Sequence, residues 1–77
     1  MSATARFRFH ATLNDFLEPA RQHTWSNYSF RDFPAVKDAI EALGVPHPEV
    51  NAIVVNGSAV DFTYKLQPGN EVEVYPA

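Results

Sequence analysis

Cysteine is absent from this chain, and glycine occurs only 3 times in its 77 residues. Without a thiol there is no disulfide, no thiolate zinc site and no cysteine nucleophile, and the pattern of a small secreted, cross-linked scaffold is missing. Long apolar runs are missing as well. No stretch approaches the roughly 20 apolar residues that a bilayer-spanning helix needs. The opening Met1-Ser2-Ala3-Thr4-Ala5-Arg6 has no apolar core of signal-peptide length. The expectation is a cytoplasmic protein with no membrane role. Charge of one sign is also scarce: 6 Lys and Arg against 9 Asp and Glu give a formal charge of -3, with no basic run able to track a phosphate backbone. Direct nucleic-acid binding is disfavoured on that ground.

What the chain does have is 45% hydrophobic and 13% aromatic residues, enough to build a core, and its length fits one domain over residues 1–77. Residues 5–11, Ala5-Arg6-Phe7-Arg8-Phe9-His10-Ala11, alternate with period two. Ala5, Phe7, Phe9 and Ala11 would then share the buried side of a first strand. A polar stretch with Asn14-Asp15 and Pro19 reads as a long loop, and Thr24 to Arg31 reads as a second strand with Tyr28 and Phe30 on one face. From Pro34 the period changes, because Val36, Ala39, Ile40 and Leu43 fall at i, i+3, i+4 and i+7. This predicts one amphipathic helix of about ten residues. Gly44 suits the left-handed position after its last turn, and Pro46 blocks continuation.

Ala52-Ile53-Val54-Val55 runs into Asn56-Gly57, a pair that fits the tight primed turn of a hairpin. A brief strand should return through Ser58 to Val60. Gln67-Pro68-Gly69-Asn70 reads as a further turn, with Pro68 and Gly69 at its centre. Glu71-Val72-Glu73-Val74-Tyr75 closes the chain as a strand with Val72 and Val74 inward. The order strand, strand, helix, strand, short strand, strand gives an α+β fold of the ubiquitin-like β-grasp type. Its mixed four- to five-stranded sheet would carry one helix packed across it.

The segment Pro34-Ala35-Val36-Lys37-Asp38-Ala39-Ile40-Glu41-Ala42-Leu43-Gly44-Val45-Pro46-His47-Pro48-Glu49-Val50 is more distinctive than the fold alone demands. With Val54-Val55-Asn56-Gly57, Val60-Asp61-Phe62, Tyr64, Pro68-Gly69 and Val72-Glu73-Val74-Tyr75-Pro76, it resembles a bacterial ubiquitin-like domain. That domain is found ahead of the Mut-seven C-terminal RNase domain, a PIN-like nuclease module with a zinc-binding segment. Asn14-Asp15-Phe16-Leu17 and the opening strand extend the likeness over nearly the whole chain. The resemblance implies a β-grasp fold with the first and last strands parallel at the centre of the sheet. It also implies distant similarity to the sulfur carriers of thiamine and molybdopterin synthesis. Those carriers need a flexible Gly-Gly carboxylate, whereas this sequence closes on Val74-Tyr75-Pro76-Ala77. The expectation is that the missing Gly-Gly is original to the family. A second departure lies at the helix start, where Ala35 stands in place of a hydroxyl cap three residues before Asp38. The loss of that cap carries an expected cost of about 1 kcal/mol.

Few residues suggest chemistry. His10, His23 and His47 lack metal-site spacing, and no nucleophile, base or phosphate loop accompanies Asp61. No catalytic residue, metal or cofactor is called for. His47, between Pro46 and Pro48, reads as a loop-ordering hydrogen-bond partner, and Asp61 as a turn residue. Trp25 and Phe33 are the aromatics without an evident core position, so each is a candidate interface residue; Trp25 could equally cover one end of the core beneath the long loop. Arg6, Arg8 and Arg31 are further candidate interface residues; they could form a basic patch, or a solvated face balanced by Glu71 and Glu73. The resulting expectation is a non-catalytic protein-interaction module, with a PIN-like nuclease domain as the partner that the resemblance suggests. A sulfur carrier whose Gly-Gly tail is absent here and an RNA-contacting accessory domain are the alternatives. The native product's length past Ala77 would separate the first alternative, and salt-dependent RNA binding the second.

Overall fold

The computed structural model describes residues 2–77. Five strands form one sheet: β1 (Ala3–Phe9), β2 (Ser26–Phe30), β3 (Val50–Val55), β4 (Ser58–Val60) and β5 (Glu71–Pro76), in the order β2-β1-β5-β3-β4. β1 and β5 are parallel at the centre, with Phe7 opposite Val72 and Phe9 opposite Val74. The other pairings are antiparallel. This is the expected α+β, ubiquitin-like sheet. The helix α1 (Val36–Ala42) buries Val36, Ala39 and Ile40 against one side of it.

Alternation along the strands decides which side is core. Ala5, Phe7 and Phe9 of β1, Ile53 and Val55 of β3, and Val72 and Val74 of β5 are all buried. Each of the eight largest fully buried side chains in this core is worth about 1.5–3 kcal/mol by area removed from water.

The boundaries differ from the sequence expectation for identifiable reasons. β1 ends at Phe9, and Ala11 is exposed with φ 50° at the start of a 3₁₀ turn over Ala11–Phe16. The inward place expected for Ala11 is taken by Leu13, which that turn delivers to the core. Asn14 holds the turn closed: its Nδ2 donates to Phe9 O at 2.9 Å and Ala11 O at 3.0 Å. Its Oδ1 accepts from His23 N at 2.7 Å. The long connection is therefore packed, with Leu17 also buried.

α1 is shorter than expected, starting at Val36, because Ala35 is extended and Pro34 O is engaged by a distant segment. Leu66 N donates to Pro34 O at 2.8 Å, and Ala35 bridges to Lys65. The same 61–66 segment accepts from the first turn of the helix: Val36 N reaches Tyr64 O at 2.7 Å and Lys37 N reaches Phe62 O at 3.3 Å. Asp38 N donates to Ala35 O at 2.9 Å. The cost expected from the missing hydroxyl cap thus does not arise, since backbone carbonyls accept those donors. Gly44, beyond the helix, has φ 110°. The hairpin turn has Asn56 at φ 48° and Gly57 at φ 85°, and Asn56 Oδ1 also accepts from Glu71 N at 2.8 Å. Gly69, after Pro68, has φ 80° and donates its N–H to Thr4 O.

Candidate functional site

Because α1 covers one side of the sheet, the alternate residues of every strand build the other side. On β1 these are Thr4, Arg6 and Arg8, followed by His10; on β5 they are Glu71, Glu73 and Tyr75. Ala52 and Val54 of β3 continue this open face, with Ala52 opposite Tyr75, Val54 opposite Glu73, and Ala59 of β4 opposite Val54. Trp25, immediately before β2, lies at the other border of the face. It is graded from polar to apolar.

In the polar half, Arg6 and His10 have partners on β5. Arg6 forms an ion pair with Glu71 across the parallel strands. Its guanidinium carbon also sits 4.9 Å from the centre of the Trp25 ring, a cation–π geometry. Trp25 is half-buried there. Arg8 stands opposite Glu73, and the Glu73 carboxylate accepts from His10 Nε2 at 3.1 Å. The His10 ring lies flat on Tyr75, with centroids 4.3 Å apart and planes at 3°. Such stacking and pairing fix long side chains that would otherwise be mobile. The face is pre-organised.

Of the sequence candidates, Arg6, Arg8 and Trp25 come together on this face. Arg31 and Phe33 do not; both are exposed in the connection from β2 to α1. Phe33, 56% exposed, borders a shallow groove of about 620 Å³ shared with Ala3, Phe30, Asp32, Pro68 and Gly69. Phe16, at 43% exposure, is a surface aromatic that sequence reasoning missed, because it lies in the stretch read as a plain loop. His10 and Tyr75 were missed as a pair, since only the strand register brings residues so far apart in sequence together.

On the helix side, His47 Nδ1 donates to Glu41 Oε2 at 2.6 Å, and its ring meets Phe62 edge-on at 5.6 Å. The hydrogen bond from the His47 side chain, supported by its backbone N–H, holds the Glu41 carboxyl below the usual glutamate range. Asp61 is likewise held low by hydrogen bonds from the Thr63 side chain and backbone. Both carboxylates order turns. Among the described residues no group of three or more His, Cys, Asp or Glu is placed to hold a metal. No helix of the described residues is long and apolar enough to cross a membrane. A family model described as Mut7-C ubiquitin matches residues 2–77. No curated protein matches the chain.

Proposed function

Since the chain belongs to the Mut7-C ubiquitin family, we propose that it is a non-catalytic protein-interaction module that docks a PIN-like RNase domain, in cis or in trans, through the open face of its sheet. The observation that carries this reading is the state of that face. Arg6 is ion-paired with Glu71, His10 hydrogen-bonds the Glu73 carboxylate, and Arg8 stands opposite Glu73 in the register, so the two arginines are balanced by two carboxylates. Beside them the half-buried Tyr75, Ala52 and Val54 form an apolar strip. A surface with balanced charge, fixed aromatic rings and an adjoining apolar strip suits a protein partner, because little ordering remains when it docks.

The same pairing argues against RNA as the ligand. Arg6 is engaged by a carboxylate and Glu73 stands across from Arg8, so the face offers little net positive charge to phosphates. Cytoplasmic RNA processing would then involve this chain through a nuclease that it positions.

Pull-down from the native host tests the proposal. The unmodified chain should recover a PIN-like nuclease or an RNA-processing factor, and Tyr75→Ala or Arg8→Glu should lose it while Lys37→Glu on α1 retains it. Recovery of no such factor, or equal recovery by the variants of the open face, would refute it.

A further inference from the structure

β2 is one edge of the sheet, adjoining β1. The register shows which of its backbone groups are unused. Gly69 N donates to Thr4 O at 2.8 Å and Arg6 N donates to Asn70 O at 2.9 Å, so Thr4 and Arg6 turn these groups away from β2. Their partners in β2 are Ser29 and Asn27. In an antiparallel ladder, both members of such a pair direct N–H and C=O outward. Asn27 and Ser29 therefore present their backbone groups at the outer edge of the sheet. Arg21 Nη1 donates to Asn27 O at 3.2 Å, which covers one of these groups from that side. Within Ser26–Phe30 there is no charged residue and no proline, the devices by which sheet edges are commonly blunted.

These groups are symmetric about Tyr28. We propose that a second copy of this chain pairs along β2, antiparallel, about a two-fold axis at Tyr28, joining the two sheets into one. In this register Asn27 of each copy exchanges hydrogen bonds with Ser29 of the other. Tyr28 faces Tyr28 at a position where side chains approach most closely. Tyr28 already belongs to an aromatic row, 5.8 Å from Phe7 and 6.3 Å from Phe30 between ring centres, and the pairing extends that row across the axis. Trp25 and Arg31, which flank β2, come level with each other across the axis at both ends of the ladder. Within 26–30 no charged side chain faces another across the axis. This self-complementarity is what selects a second copy over an unrelated strand.

Arg21 limits the association, because its guanidinium must leave Asn27 O before the ladder can form. Sedimentation equilibrium of the whole chain, with amide shift mapping, is the test. A concentration-dependent dimer with shifts centred on 26–30 is expected, and Arg21→Ala should tighten it by about threefold or more. The Asn27→Lys, Ser29→Lys double variant places like charges opposite each other and should abolish it. Ser29→Pro removes an outward N–H without touching the ladder to β1, and should also abolish it. A chain that stays monomeric at roughly millimolar concentration, both unmodified and as Arg21→Ala, would overturn the proposal. So would a dimer that persists in the lysine double variant or in Ser29→Pro.

Discussion

Asn14 carries more of the long connection than any other single residue in it. Its side chain makes hydrogen bonds to Phe9 O, Ala11 O and His23 N while only 2% exposed, so truncation leaves buried backbone groups unmatched. Asn14→Ala should cost about 2–3 kcal/mol in urea unfolding, with faster amide exchange over 11–23. Gly44 and Gly57 offer a controlled pair. A Cβ on Gly44 would lie 2.8 Å from Phe16 O at φ +110°, whereas one on Gly57 meets nothing within 4 Å at φ +85°. Gly57→Ala should cost about 1–2 kcal/mol, the price of the left-handed backbone alone, and Gly44→Ala distinctly more in the same unfolding assay. Gly44 was readable as a helix terminator from its place in the sequence, but its close approach to Phe16 was not, because that contact depends on how the long connection folds.

Glu41 gives a pH-dependent expectation at the same scale. Its folded carboxyl is held below the usual value by His47, so the unfolded chain takes up a proton first as pH falls. The small stabilising contribution is present above the usual glutamate range and is lost as pH drops through the lower, folded value. Comparing unfolding of Glu41→Gln and the unmodified chain across acidic pH should show curves that separate at neutral pH and converge in acid. Separation confined to acid would contradict this assignment.

At the level of elements, the start of α1 shows how a local rule is superseded by its surroundings. Ala35 lacks a capping side chain, yet the N–H groups of Val36, Lys37 and Asp38 are accepted by Tyr64, Phe62 and Ala35 carbonyls. Ala35→Ser should therefore change stability by less than about 0.5 kcal/mol, where an open helix end would gain about 1 kcal/mol. Equilibrium unfolding checks this, and a full cap-sized gain would show that the 61–66 segment does not serve as the cap. The apolar period placed the helix, and alternation placed β1 and β5. Their ends slipped where a distant segment competes, as Leu66 does for Pro34 and as the Asn14 turn does for Ala11.

For the whole molecule, strand order came from pattern plus family likeness. Alternation in Arg6-Phe7-Arg8-Phe9 and Glu71-Val72-Glu73-Val74 marks two half-buried strands, but nothing in either segment says that they pair in parallel. That pairing builds the open face, since it sets Arg6 beside Glu71 and His10 on Tyr75. Arg6, Arg8 and Trp25 were thus legible as surface candidates, while their neighbours across the sheet were not. Adding the PIN-like RNase domain to the isotope-labelled chain and mapping amide shifts tests the central claim most directly. The account predicts saturable changes at Arg6, Arg8, His10, Val54 and Tyr75, with the exposed residues of α1 unmoved. No change on addition of the domain, or changes confined to α1, would contradict it.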